Sequence, residues 1–211
     1  MLDWTKAKHN KDLGSDNFVT IKNIFVSQLV IPETKPPQQF LLCPVGLVGS
    51  GKTTVVSPLA EKLHLVRISH DEIREILKKN DYNYDRSKEI ASEVISDFLK
   101  DGYSVAIDAN CGSQETFDRI KNIEQKYHLR VIWIHINPPE EFIINKLRNF
   151  KHTWLFANGE EAVRGYLNYK NTYGDGTGLH IDFDYVFDTS KSNIQEQIAD
   201  AEKVILKQIN G

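Results

Sequence analysis

Residues 40–53 read FLLCPVGLVGSGKT. FLLCPV is an apolar run of strand length, and Gly46 to Thr53 match G-x-x-x-x-G-K-[ST], the spacing of a phosphate-binding loop set between a strand and a helix. Gly46, Gly49 and Gly51 let backbone amides curl around β- and γ-phosphates, and the helix that follows turns its amino end toward them. Lys52 adds a point charge, Thr53 a hydroxyl suited to Mg²⁺, and Ser50 and Thr54 complete the expected nucleotide-binding set. Pro44 ends the strand, where a ladder donor is lost, and Pro58 falls within the following helix, which it is expected to bend.

Outward from this loop, short apolar runs alternate with longer helical patterns. The strands expected are 40–45, 65–68, 103–108, 131–136 and 184–187. Between them Ile90, Val94, Ile95, Phe98 and Leu99 form a helical stripe closed by Gly102. Asn137-Pro-Pro-Glu140 reads as a helix cap with prolines in the first turn, and Ser192 to Gln195 as a capping box. The expectation is an α/β fold, the P-loop NTPase three-layer sandwich, with a five-stranded, mainly parallel sheet. Residues 1–39 differ in character: a polar start, apolar residues from Phe18 to Leu29 that suit one helix or a strand pair, then the Pro-rich connector PETKPPQQ. They read as an extension to a single domain over 40–211.

The chain of 211 residues carries a net charge of -3, which speaks against a surface given over to nucleic acid. No apolar run approaches the ~18 residues of a bilayer span, and the polar start lacks the apolar stretch of a secretory signal. A cytoplasmic protein with no membrane partner is expected. Cys43 and Cys111 suit neither a disulfide framework nor a metal-ligand spacing and read as small buried residues.

A phosphate loop implies a bound nucleoside triphosphate; other residues decide where the phosphoryl group goes. The third strand ends in Asp108, an acid placed to hold Mg²⁺ with Thr53. Ala109 follows, where motor-type ATPases carry a water-orienting glutamate. The guanine-reading Asn-Lys-x-Asp is also missing, its nearest string being Asn145-Lys146-Leu147-Arg148 inside a helical stretch, so ATP is the expected donor. After the second strand, Ser69-His70-Asp71-Glu72-Ile73-Arg74 has capping-box spacing, with Asp71 in the first turn and Arg74 on the same face. Both would face the carboxyl edge of the sheet, where open α/β folds bind substrates. Taken alone, Asp71 also suits the helix dipole and Arg74 a surface ion pair.

GLVGSGKT, SHDEIR after the second strand and AIDAN after the third together resemble the P-loop kinase group that includes phage polynucleotide kinase and zeta-toxin-type kinases. The resemblance covers roughly 40–190. It implies that Asp71 accepts the proton of the attacking hydroxyl and Arg74 positions the acceptor. It also implies a lid over the transferring phosphates, expected around 146–170, where five basic residues face two acids. Arg148-Asn149 matches the Arg-Asn pair near the start of such lids and makes Arg148 the charge stabiliser; Lys151 and His152 stand where a second arginine is expected, with Arg164 as a substitute.

Asn110 suits a hydrogen bond to acceptor or metal water, or equally a turn. Tyr82, Tyr84, Trp154, Tyr166, Tyr169 and Tyr173 suit packing or base stacking. His64, His70 and His152 lack metal-ligand spacing. The implied function is transfer of the ATP γ-phosphoryl group to a hydroxyl of a small metabolite or nucleotide-type acceptor. A polynucleotide 5′-hydroxyl is the alternative acceptor, and a nucleotide-dependent switch the alternative class.

Overall fold

The computed structural model describes residues 11–149, 156, 158–174 and 178–210, with the side chain of Tyr173 left out. Among these residues, β1 (Phe40–Val45), β2 (Val66–Ser69), β3 (Val105–Asp108), β4 (Arg130–Ile136) and β5 (Tyr185–Phe187) form one sheet in the order β2-β3-β1-β4-β5. Every pairing is parallel, so the sheet is wholly rather than mainly parallel. Strands buried on both faces read as continuous apolar runs, which is why FLLCPV and VIWIHI stand out in the sequence.

The helices are α1 (Ser15–Ser27), α2 (Lys52–Lys62), α3 (His70–Lys79), α4 (Ser87–Lys100), α5 (Gln114–Tyr127), α6 (Glu140–Asn149), α7 (Gly159–Tyr173) and α8 (Ile194–Ile209). They make the outer two layers. Phe40 and Leu42 point to one face and pack with Val55, Leu59, Ile198 and Ile205 of α2 and α8. Leu41, Cys43 and Val45 point to the other, where α3, α4 and α5 contribute Ile73, Leu77, Val94 and Ile120. A third apolar cluster ties Leu47 of the phosphate loop to Ile143 and Leu147 of α6 and to Val163 and Tyr166 of α7.

The apolar stretch from Phe18 is one helix, not a strand pair. Phe18, Ile21 and Phe25 recur at helical spacing and are buried in the same cluster as α3 and α4. Lys22 reaches Glu93 at 2.9 Å and Asp97 at 2.7 Å on α4. The Pro-rich connector is fastened too: Gln39 Nε2 donates to the carbonyls of Leu99 and Tyr103, both at 2.8 Å.

Local signals explain most boundaries. α4 ends in a Schellman turn at Gly102 (φ 77°), with Gly102 N–H on Leu99 O and Tyr103 N–H on Phe98 O. Pro44 lies inside β1, in register with Ile134. Its carbonyl accepts from Cys111 N–H at 2.8 Å, so its missing donor faces the β3 side, where the ladder has ended at Leu42. Pro58 sits inside α2 without ending it.

Two expected caps differ. Asn137 N–H is held by Phe187 O at 2.9 Å, which keeps the chain extended past both prolines, and α6 starts only at Glu140. The Ser192 box does not form: α8 starts at Ile194 after Asn193, whose side-chain oxygen accepts from Gln197 Nε2 instead of a helix amide. Cys43 and Cys111 are free and buried. Among the described residues no helix is long and apolar enough to cross a membrane.

Candidate active site

The carboxyl ends of β1, β2 and β3 converge on the phosphate loop. Gly49 and Gly51 hold φ of 79° and 96°, which only glycine adopts without strain. Space is also short: a Cβ on Gly49 would lie 3.0 Å from Leu147 of α6, and one on Gly51 3.1 Å from Thr189. Thr189 Oγ1 donates to Ser50 O at 2.6 Å, so the turn after β5 closes over the loop from 139 residues away.

Lys52 Nζ donates to Gly46 O and Leu47 O, each at 2.9 Å, and its ammonium lies over the loop. Burial pushes its pKa down, while the carboxylates of Asp71 and Asp108 pull it up. The hydroxyl of Ser50 is buried without a partner among the described residues, an orphaned polar atom in the loop that would hold phosphate.

Thr53 opens to solvent, and its Oγ1 donates to Asp108 Oδ1 at 3.1 Å. Asp108 is 5% exposed. Burial raises its pKa against the pull of Arg67, Thr53 and Lys52. The second carboxylate oxygen takes Arg67 NH1 at 2.6 Å, and Arg67 NH2 pairs with Glu72. A hydroxyl and a carboxylate side by side, with only oxygen donors, fit a hard cation such as Mg²⁺. Among the described residues there is no group of three or more His, Cys, Asp or Glu that would hold a metal by itself.

Asp71 and Arg74 stand together at the start of α3. Ser69 caps this helix, its Oγ accepting from Glu72 N–H at 3.4 Å, and Arg74 NH1 meets Asp71 Oδ1 at 3.0 Å. Asp71 is largely exposed and its charge is felt at Lys52. The surface pair available to Arg74 is therefore with Asp71 itself.

Arg148 lies apart from this group. It is half-exposed and reaches Glu160 of α7 at 3.5 Å. Helical geometry explains the placement: Ile143 and Leu147 form the ridge against the phosphate loop, and residues 146 and 148 are rotated about 100° to its opposite flanks. Lys146 is on the flank toward the loop, half-buried, with its pKa lowered by burial and its charge acting on Lys52. Arg164 is exposed on α7.

Asn110 is tied into the frame by three hydrogen bonds. Its Oδ1 accepts from Gly46 and Gly112 N–H, both at 3.1 Å, and its Nδ2 donates to Tyr169 of α7 at 2.9 Å. These bonds brace the loop against α7 and use one of the two Nδ2 hydrogens. Tyr82, Tyr84 and Tyr166 are buried packing residues. Trp154, Lys151 and His152 lie outside the described residues, as does the side chain of Tyr173.

Sequence reasoning passed over Arg67, Lys146 and Thr189. Arg67 had a signal, a charged residue inside the strand LVRI, paired in register with Ala106, two places before Asp108. Lys146 was visible only within a basic run. Thr189 had none, because its partner is distant in sequence.

Solved structures share this architecture. A putative kinase from Chloroflexus aurantiacus J-10-fl is similar with a TM-score of 0.60 and 17% identity, over 84% of this chain and 100% of that one. The APS kinase CysC of Mycobacterium tuberculosis, in complex with AMPPNP and APS, gives 0.54 and 16% over 81% and 99%. A gluconokinase from Sinorhizobium meliloti 1021 gives 0.53 and 13% over 84% and 98%. At these identities the likeness is one of fold. No curated protein matches the chain. Residues 41–153, from β1 through the end of α6, match the AAA domain family. That match spans more than half of the sequence and contains the loop, Asp71, Arg74 and Asp108; the chain belongs to the AAA domain family.

Proposed function

We propose that the protein is an ATP-dependent kinase that transfers the γ-phosphoryl group to a hydroxyl of a small metabolite or nucleotide-type acceptor. The observation that carries this reading is the placement of an exposed carboxylate, Asp71, at the sheet edge within electrostatic reach of the loop lysine, Lys52. Asp71 accepts the acceptor's hydroxyl proton, the acceptor oxygen bonds to the γ-phosphorus, and the bond from that phosphorus to the β-γ bridging oxygen breaks as ADP leaves. Lys52 and Lys146 oppose the charge on the transferring group; Arg148, held at Glu160, joins them only if that pair opens. Arg74 orients the acceptor. Thr53 and Asp108 would hold Mg²⁺, which when bound screens the β- and γ-phosphates. Ala109 follows Asp108 at the position where a motor-type ATPase carries a water-orienting glutamate, which favours transfer over hydrolysis.

The SHDEIR element favours a second acceptor, the 5′-hydroxyl of a polynucleotide. A [γ-³²P]ATP transfer assay with Mg²⁺, a 5′-hydroxyl oligonucleotide and a pool of small metabolites separates the two. Label in the metabolite pool that falls about 10²- to 10⁴-fold in Asp71→Asn supports the first reading. Label on the oligonucleotide alone supports the second. ATP binding with no acceptor labelled replaces both with a nucleotide-dependent switch.

A further inference from the structure

The turn between α3 and α4, residues 80–86, is strapped down by the amino-terminal extension. Lys11 pairs with Tyr82 in a short parallel bridge, and its carbonyl accepts from Asn83 N–H at 3.0 Å. Asn83 Nδ2 donates to Asp12 Oδ1 at 2.6 Å. Arg86 closes the strap. Its NH1 donates to Leu13 O at 3.1 Å, its Nε and NH2 hold Glu89 of α4 at 2.7 Å each, and its guanidinium lies 4.1 Å over the ring of Phe18 on α1.

The strapped turn bears on α3, the helix of Asp71 and Arg74. Asp81 holds a φ of 60°, a left-handed conformation that a residue with a side chain keeps only where its neighbours fix it. Tyr82 and Tyr84, on either side of Asn83, are buried with Ile73 and Leu77 of α3. Burial raises the pKa of the Tyr84 phenol and the charge of Arg74 draws it back, so this ring stands within reach of the guanidinium that meets Asp71. α1 also rests on α3 and α4, through Phe18, Ile21 and Phe25, and through Lys22 to Glu93 and Asp97. α2, the helix of the phosphate loop, belongs to the separate core that it forms with α8. The extension thus supports the acceptor side of the sheet edge.

We propose that this strap is a positioning element for the acceptor half of the site: Asp12, Leu13 and Arg86 hold the turn, the turn holds α3, and α3 aims Asp71 and Arg74 at the acceptor. The consequence for transfer rests on the kinase reading; the hold on α3 does not. Asp12, Leu13 and α1 precede residue 41, where the family match begins, so this support is supplied from outside the shared stretch. The strap residues act through α3 and are not catalytic. Arg86 suits the task because one planar fork grips α4 and the strap together while its face lies on an aromatic ring.

Two measurements on the full chain test this, with Arg86→Gln, Asp12→Ala and Asp12→Asn. Amide hydrogen exchange is followed with a non-hydrolysable ATP analogue and Mg²⁺ bound. In Arg86→Gln, faster exchange is expected at 80–86 and onward into the first turns of α3, 71–75, with 46–56 unchanged and the analogue's Kd within about 2-fold of the parent's. Transfer from [γ-³²P]ATP is followed against rising amounts of the metabolite pool or the 5′-hydroxyl oligonucleotide, whichever the parent labels. The initial slope, proportional to kcat/KM for the acceptor, is expected to fall about 3- to 10-fold in Arg86→Gln, the worth of one hydrogen bond. Asp12→Ala should lower the slope as well, and Asp12→Asn, which keeps an oxygen for Asn83 Nδ2, should restore it. Asp12 is exposed, so this pair carries both measurements if Arg86→Gln does not fold. A merely structural role would loosen both halves of the site, so an equal loss of analogue affinity overturns the proposal. Exchange that changes only within 80–86, or a slope indifferent to the strap variants, overturns it too. A parent that labels nothing, while the variants still loosen 71–75, removes the kinase and keeps the strap's hold on α3. Unchanged transfer beside an unchanged α3 keeps the kinase and removes the strap.

Discussion

Arg67 of β2 donates to Asp108 of the adjacent strand at 2.6 Å, and its other terminal nitrogen is spent on Glu72. One guanidinium thus fixes the carboxylate that faces Thr53 and the first turn of the helix that bears Asp71. The pair is three-quarters or more shielded, so it is costly to break from one side.

Arg67→Ala leaves Asp108 buried with its charge answered only by Thr53 and Lys52. A loss of about 2–4 kcal/mol in urea unfolding is expected, below the upper range for sealed pairs because Arg67 keeps some contact with water. Loss below about 1 kcal/mol would mark the bridge as a surface ornament.

His70 gives the fold a signature in acid. Burial, reinforced by Arg74, Lys88 and Arg119, pushes its pKa down to about 3 from a usual 6.5. Between these values the unfolded chain binds a proton that the folded chain refuses, so stability is present above pH 6.5 and falls as pH drops toward 3. The slope contributed is at most about 1.4 kcal/mol per pH unit. Urea midpoints at pH 7 and pH 5 should converge for His70→Gln relative to the parent; parallel losses would place the proton uptake elsewhere.

Gly51→Ala meets two obstacles, the positive φ and Thr189 at 3.1 Å. About 1–3 kcal/mol of stability should be lost, together with affinity for an ATP analogue. Adding Thr189→Ser removes one of the two Thr189 atoms at 3.1 Å, its methyl, and keeps a hydroxyl for Ser50 O, so a small part of the loss should return. The backbone strain keeps the rest.

Phe25→Ala should cost about 3–5 kcal/mol in thermal or urea unfolding, since the ring is 1% exposed in the main core. Lys22→Ala, on the same helix, should cost about 1 kcal/mol or less although it breaks two ion pairs, because Glu93 and Asp97 remain near half-exposed to water. Equal effects would mean that charge rather than apolar area holds α1 down.

The strands and the phosphate loop were legible because their causes are local. An apolar run buried on both faces and a fixed spacing of glycine, lysine and threonine need no distant partner to be recognised. Gly102 was read for the same reason. The caps at Asn137 and Ser192 were misread because partners outside the local pattern won: Phe187 O held the Asn137 amide, and α8 began one residue later than the box requires, after Asn193, whose side-chain oxygen Gln197 takes. In the site, the pairing of Thr53 with Asp108 follows from strand order. The separate fates of Arg148 and Lys146 turn on helix phase against the loop, and Asn110's engagement on Tyr169, 59 residues away.

The AAA domain match begins at residue 41, yet Phe18, Ile21 and Phe25 line the same interior as β1, α3 and α4. A fragment trimmed to the matched boundary would open that wall to water and take Lys22 from Glu93 and Asp97 of α4. The unit that folds is therefore longer than the unit that shows kinship. A tag or fusion partner belongs ahead of Leu13, where the chain enters the core, and not at the Pro-rich connector that looks like the natural joint.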